Sequence, residues 1–446
     1  MRSLGVLAIT SLCVTSSVLF AAHGCSSPSP SARPVGSEDA GDENEASLFD
    51  IYRTDGPGCT IPPKPATVPD GWELYTEYDP CCLLYTPSAP QYLPPPLKWT
   101  SCAPAWSGDA GLSSGCRQVD QAVAGSALFG ASVVGSTVTL LTDEIINGLD
   151  VHVVVDADGP VHQALAVTDK NRCGPSPRDL RDGRFAYEMY PPTNFNGGGF
   201  LAGQVDEFRP SFVHHFTDFQ THGVVVGKLG VLDVDETDSL NLYRWDAGLG
   251  ADAQVIRNPQ DIGLGSSFPL FSSNALFWLA NAGGMNRIAV YTEAGGAHDL
   301  ISFGSDPDEG ATDLGADGVD LVWMQGTGHT KDPIAYDTAE LMTSPFATDP
   351  ASLHPRRLRS ESPRAMGVTF MKVGCGYAAR SNDAYLRIVR ISDGGSWVLP
   401  QNPGWQWLNA LAVTCDEVFV SVSLGADINN VARIRFDALG PPVPAD

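Results

Sequence analysis

The residues of this chain that could do chemistry are few and scattered. The densest histidine group is His214-His215, followed by Asp218 and His222. Adjacent residues of a strand point to opposite faces, and the spacing from His214 to His222 does not match a helical i, i+4 pair. These side chains are therefore not expected to hold a metal ion, and we interpret them as isolated surface or loop histidines.

Acidic runs are the next candidates for a site. Asp233–Asp238, Asp156–Gly159 and Asp306–Asp320 carry closely spaced carboxylates, as oxygen-ligand calcium loops do. None completes the EF-hand pattern with its final bidentate Glu, and Asp and Gly are also the residues that tight turns need. The sequence predicts turns at these runs, leaves calcium open, and indicates no other cofactor.

Motifs for nucleophilic or phosphate chemistry are missing from the sequence. It contains no H-E-x-x-H, Walker loop or paired C-x-x-C. Asn196–Phe200 is Gly-rich but has no strand-then-helix context. Asp393, Gly394 and Trp397 match part of the Asp-box of sialidase-type glycosidases, but only once and with compressed spacing. We interpret them as a hairpin turn and a packed Trp, and assign no catalytic residue.

Two tryptophans could form a recognition surface. Trp405 and Trp407 alternate as on a strand, so they share a face. Exposed, they would offer a platform to a sugar or peptide, whereas buried they would belong to the core. We favour the core.

The N-terminus carries the most specific signal. Met1–Ala22 has one basic residue followed by an uncharged, mainly apolar stretch, which is the layout of a secretory signal. Ala22-His23-Gly24-Cys25 resembles the lipobox of bacterial lipoproteins in its Gly-Cys pair, although Ala22 replaces the usual Leu and His23 is unusual there. The resemblance implies a signal peptide over residues 1–24, lipid attachment at Cys25, and, with Ser26 next, the outer membrane. The alternative is an ordinary signal peptide cleaved near Gly24.

Two segments separate this signal from the main domain. Residues 25–49 are rich in Ser, Pro and acids, so they cannot bury enough apolar surface to fold and are predicted to be a disordered tether. An acidic binding tail is the alternative. Residues 50–96 are rich in Cys and Pro and lack periodicity. We expect them to pack on the next domain.

Cysteine content fits export. Besides Cys13 in the signal and Cys25, an even number remains, which in an exported chain indicates a disulfide framework. These eight are Cys59, Cys81, Cys82, Cys102, Cys116, Cys173, Cys375 and Cys415. Zinc is the weaker alternative, because Cys81 and Cys82 are adjacent and no His stands nearby.

Short apolar runs separated by Gly, Asp and Asn fill residues 97–440. Ala275–Phe303 is typical of an antiparallel meander of three strands with Gly turns. With Tyr187, Val226, Trp278, Trp323, Tyr377 and Phe419 as markers, the runs recur about every 46 residues. This spacing predicts an all-β fold, a β-propeller of about seven four-stranded blades, with six or eight as alternatives. A sandwich or barrel array is the structural alternative.

The texture of Asp317–Trp323 resembles that of WD40-like and TolB-type propellers of exported bacterial proteins. Cys375 and Cys415 fall at similar positions of successive repeats, so we expect them to bridge adjacent blades.

Charge and composition narrow the function. The formal net charge of −25 argues against nucleic acid as a partner. We expect a cell-envelope protein, anchored to the outer membrane by its lipid and facing the periplasm or the surface, with a propeller that binds an unknown protein or glycan. The alternative is a carbohydrate-active lyase or hydrolase with acidic residues on an axial face.

Overall fold

The computed structural model divides the chain into two units, Met1–Gly58 and Cys59–Asp446, and the residues that it describes belong to the second. They are 63–75, 83–102, 115–120, 123–124, 130–168, 174–190, 198–216, 223–234, 240–246, 252–257, 263–264, 269–282, 285–303, 309–329, 336–362, 371–381, 385–400, 406–423 and 428–445.

Seven antiparallel sheets succeed one another along the chain. Five short N-terminal strands come first: β1 Trp72–Leu74, β2 Leu84–Pro87, β3 Trp99–Ser101, β4 Cys116–Val119 and β5 Val123–Ala124. Blade 1 follows with β6 Gly130–Val134, β7 Thr137–Ile146, β8 Leu149–Asp156 and β9 Val161–Val167. Blade 2 contains β10 Gly174–Arg181, β11 Arg184–Tyr190, β12 Gly198–Gln204 and β13 Ser211–Phe216.

The remaining blades repeat this order. Blade 3 contains β14 Gly223–Val226, β15 Gly230–Val234, β16 Leu240–Arg244 and β17 Gln254–Arg257. Blade 4 contains β18 Gly263–Leu264, β19 Leu270–Ser272, β20 Ala275–Ala282, β21 Met285–Thr292 and β22 Gly296–Ser302. Blade 5 contains β23 Glu309–Ala316, β24 Asp320–His329, β25 Tyr336–Pro345 and β26 Arg356–Glu361.

Two further blades complete the ring. Blade 6 contains β27 Met371–Gly374, β28 Tyr377–Ser381, β29 Tyr385–Arg390 and β30 Ser396–Pro400. Blade 7 contains β31 Gln406–Val413, β32 Glu417–Ser423 and β33 Ile428–Arg435. The helical elements among the described residues are single 3-10 turns at Pro90–Tyr92, Pro350–Ser352 and Phe436–Ala438; no helix there has the length and apolar character to cross a membrane. The predicted all-β propeller is confirmed, with seven blades.

Each blade is an up-and-down meander because its strands alternate with tight turns. The predicted meander at Ala275–Phe303 is confirmed as β20, β21 and β22. One repeat marker was wrong: Val226 lies on the innermost strand β14, whereas the other markers lie on second strands. With Leu232 of β15 in its place, the steps from Tyr187 to Trp278 become 45 and 46 residues.

The N-terminal strands close the ring. β4 pairs with β33, with Gln118 opposite Ala432, and so supplies the fourth strand of blade 7. The Asn430 side chain is buried and donates from Nδ2 to the Val119 carbonyl oxygen at 2.8 Å. β1 and β2 extend blade 1 at its outer edge, where β2 pairs with β9. A strand that precedes blade 1 and the last strand of the chain are therefore joined in one sheet.

The core lies between adjacent blades, since each sheet buries both of its faces. Trp278 packs in the cluster shared by blades 3 and 4, and Trp323 in the cluster shared by blades 4 and 5. Their side chains are almost fully buried. The innermost strands must then approach one another closely around the axis. A Cβ added to Gly374 would lie 2.2 Å from the Val413 carbonyl oxygen of the next blade.

Candidate functional site

The innermost strands of the seven blades surround an axial channel of about 490 Å³. The innermost strands of all blades run in the same direction along the axis. The turns that follow these strands therefore all lie at one end of the channel. We call that end the channel mouth; its turns are near Gly135, Asp182, Lys228, Ser273, Asp317, Cys375 and Cys415. The charged residues that line the channel are Arg178, Asp179, Arg181, Asp182, Lys228, Asp317 and Lys372.

Asp179 and Arg181, on β10 of blade 2, form hydrogen bonds to blades 3 and 4. Asp179 is buried, and its Oδ2 accepts a hydrogen bond from the Val226 amide of blade 3 at 3.1 Å. The Nε of Arg181 lies 3.6 Å from the same oxygen, and its Nη1 donates to the Phe271 carbonyl oxygen of blade 4 at 2.8 Å. The buried Nε makes no hydrogen bond to any described residue. Arg181 is therefore fixed in position at the channel wall.

Lys372 enters the channel from the opposite side, on β27 of blade 6. Its side chain is half-buried, and among the described residues it has no hydrogen-bond or ion-pair partner. Burial lowers the pKa of Lys372 to about 8, and the charge of Arg181 adds to this effect while Asp179 opposes it. An ammonium group in a confined space beside a guanidinium is the chemical arrangement that attracts an anion.

The channel mouth carries both charged and apolar residues. Lys228 is exposed there, and Asp317 uses Oδ1 to accept hydrogen bonds from the amides of Val319 and Asp320 at 2.9 and 2.8 Å. Apolar groups are exposed beside them: Val133 lines the channel and is 38% exposed, and Val319 is 70% exposed. A ligand here would meet exposed apolar surface together with charged groups.

A disulfide links two turns of the channel mouth. Cys375 and Cys415 are bonded, with Cα atoms 5.1 Å apart, and join the mouth turns of blades 6 and 7, as expected. A second disulfide joins Cys102 to Cys116 in the β3–β4 hairpin. The other candidate cysteines, Cys59, Cys81, Cys82 and Cys173, lie outside the described residues, as does Cys25.

A second polar cluster lies between blades 1 and 2. Asp143 and His152 are opposite one another on β7 and β8 and form a buried hydrogen bond between Oδ1 and Nδ1. The His152 ring centroid is 5.9 Å from that of Tyr187. Burial raises the pKa of the Tyr187 hydroxyl, and Asp143 adds to this. All three side chains are buried, so the cluster is interpreted as part of the interface between blades.

The predicted turns are confirmed at Asp156–Gly159 and at Asp317. They were wrong for Asp233, which is buried on β15, and for Asp313, which is buried on β23 and pairs with Arg380. Asp156 ends β8, the turn that follows it leads to β9, and Asp156 Oδ1 accepts from Thr139 Oγ1 at 2.8 Å. Asp393 makes a turn with Gly394, and Trp397 stacks on Phe436 in the core. In the part of the chain that is described, no three His, Cys, Asp or Glu residues are grouped so as to hold a metal ion.

Several sequence candidates stay open. Asp218, His222 and Trp405 lie outside the described residues, as do Asn196, Asp235–Asp238 and Asp306–Asp308. His214 and His215 lie on β13 and Trp407 on β31, but their side chains are not described.

Sequence reasoning missed Arg181 and Lys372. They are separated by nearly two hundred residues, and only the closure of the ring brings them to one channel. A usable signal was the scarcity of lysine: the chain has six, at Lys64, Lys98, Lys170, Lys228, Lys331 and Lys372. A lysine within a short, otherwise apolar innermost strand is conspicuous on that background.

Comparisons with known proteins find similar solved structures but no matching family. No family model matches the chain, and no curated protein matches it. The β-propeller domain of the trilobed protease from Pyrococcus furiosus aligns at 9% identity and a TM-score of 0.43, over 72% of this chain and 97% of that one. Puromycin hydrolase aligns at 12% identity and 0.44, over 78% and 57%. A putative TolB from Agrobacterium tumefaciens aligns at 10% identity and 0.33, over 52% and 81%.

Proposed function

We propose that the protein is an exported binding module, tethered to the bacterial envelope through a lipid on Cys25, that holds its partner at the channel mouth. The channel carries the proposal, because cations and exposed apolar groups meet there in a space of about 490 Å³, within the usual range of ligand pockets. The seven blades provide a rigid frame for it.

The described channel residues suit binding better than hydrolysis. Asp179 is held by a backbone amide and Asp317 by its own turn, so neither is free to act as a general acid or base. Glycoside hydrolysis needs two carboxylates facing one bond. Asp182 is the one described channel carboxylate with a buried oxygen that accepts no hydrogen bond from a described residue, and a single such carboxylate does not supply that pair.

Site-specific photo-crosslinking in the native host tests the binding role. A photoreactive residue at Lys228, on the mouth, is expected to give discrete adducts. The matched control is the same residue at Val255, which is also exposed but lies on the outermost strand of blade 3. Equal adducts from both positions, or none from Lys228, would contradict the proposal.

The anchor is tested separately. Each buried CH₂ of an acyl chain contributes about 0.8 kcal/mol, and a lipoprotein N-terminus carries more than one chain. Wild type should therefore incorporate labelled palmitate and sediment with membranes, and Cys25→Ser should do neither. An unchanged membrane pool for Cys25→Ser would show that lipid does not hold the protein.

A further inference from the structure

We propose that the channel mouth recognises a carboxylate carried on an apolar body, with Lys372 and Arg181 holding the carboxylate. This inference rests on the proposed binding function and names the ligand chemistry of the same site.

The first argument is charge balance in the channel. Arg178 forms an ion pair with the buried Glu188, and Arg181 is balanced by Asp179. Lys372 has no ion-pair partner among the described residues, and the charges that act on it are those of Arg181 and Asp179. A single ammonium group without an ion-pair partner in a confined space is matched by one negative charge, which a carboxylate carries and a phosphate exceeds.

The second argument is donor geometry. Arg181 is held by Phe271 and Asp179, and its side chain lines the channel. A guanidinium offers planar, paired donors that match a carboxylate, and an ammonium adds donors that can rotate. The two cations come from blades 2 and 6, so a ligand between them would be held from both sides of the channel.

The third argument concerns the rest of the ligand. Val133 and Val319 expose apolar surface around the entrance. The entrance also bears Asp182 and Asp317, and the whole chain has a formal charge of −25. Multiply charged anions are repelled by this background, whereas a monoanion with an apolar body can bury its tail at the rim.

The test uses calorimetric titration of the purified protein with four probes: hexanoate, its neutral analogue hexanamide, glucuronate and inorganic phosphate. Hexanoate is expected to bind at least about tenfold more tightly than the others. Lys372→Met should weaken hexanoate binding about tenfold or more, and Lys372→Arg should restore most of it. Lys98→Met, an exposed lysine remote from the channel, is the matched control and should bind as wild type does.

The pH dependence gives a second readout that a structural role of Lys372 would not move. The groups facing Lys372 are Arg181 and Asp179, with Asp182, Lys228 and Asp317 at the mouth. Because the ammonium form binds the anion, hexanoate affinity should fall as pH rises above about 8 in wild type. It should stay level over the same range in Lys372→Arg.

Three results would overturn the proposal: equal binding of hexanoate and hexanamide, a preference for glucuronate or phosphate, or wild-type hexanoate affinity in a folded Lys372→Met. Thermal melting establishes that the variant is folded. If hexanoate fails to bind while position 228 still crosslinks, the ligand chemistry is wrong and the binding function stands.

Discussion

At the scale of residues, the channel wall holds charged side chains in a confined space, where an unpaired charge is costly. Asp179 and Arg181 use backbone groups of blades 3 and 4 as partners. Lys372 has none among the described residues, and the cost of its confinement appears as the lowered pKa of its ammonium group. An unpaired buried charge is costly unless a ligand neutralises it.

Gly374 offers a test of how tightly the innermost strands pack. Gly374→Ala would set a Cβ 2.2 Å from a backbone oxygen that cannot rotate away, so we expect it to destabilise the fold by about 1–3 kcal/mol or more. Gly440→Ala is the control: its φ of +71° costs about 1 kcal/mol, with no atom in the way. Urea denaturation should show the larger loss for Gly374→Ala, and an equal or smaller loss would contradict this packing.

Glu144 predicts a pH dependence of stability. Burial raises its pKa from the usual 4.5 to about 6, so the folded protein binds this proton more tightly than the unfolded chain does. Stability should therefore fall as pH rises from 4.5 through 6, by about 2 kcal/mol in all. Glu144→Gln removes the titration, so its advantage over wild type in urea midpoint should grow across that range. A difference that does not vary with pH would contradict it.

At the scale of elements, the blades are joined by specific bonds as well as by apolar packing. Cys375–Cys415 links blades 6 and 7, and Asn430 fastens β33 to the N-terminal strand β4. Asp313 of β23 pairs with Arg380 of β28 at 3.1 Å, and both side chains are buried. The disulfide and the ion pair span neighbouring blades, and the Asn430 bond holds blade 7 together where the ring closes.

The Asp313–Arg380 pair predicts a strong dependence on charge. Asp313→Asn leaves the Arg380 charge buried without its carboxylate, and we expect a loss of about 3–5 kcal/mol. Asp313→Leu with Arg380→Met, which removes both charges, should lie closer to wild type. The exposed Arg435–Asp437 pair is the control, since Asp437→Asn should cost less than about 1 kcal/mol. A Asp313→Asn protein as stable as wild type to urea would contradict this.

At the scale of the whole molecule, local patterns carried the prediction of the fold. Turn residues and alternating strands predicted the meander at Ala275–Phe303, and the repeat length predicted seven blades. Closure of the ring was not predictable, because β4 and β33 are more than three hundred residues apart. The candidate site was not predicted for the same reason: Arg181 and Lys372 come to one channel only when the ring closes. Local signals cannot report such convergence, because no short stretch of sequence contains both partners.

The most direct test of the account is the titration of Lys372 itself, followed by NMR of protein labelled with ¹³C-lysine. Six lysines give few signals, and Lys372→Arg assigns the one of interest. We expect its pKa to be about 8, and to rise when hexanoate is added, because the anion stabilises the charged form. A pKa near the usual 10.5 that does not respond to hexanoate would contradict both the confinement of Lys372 and the channel mouth as a carboxylate site.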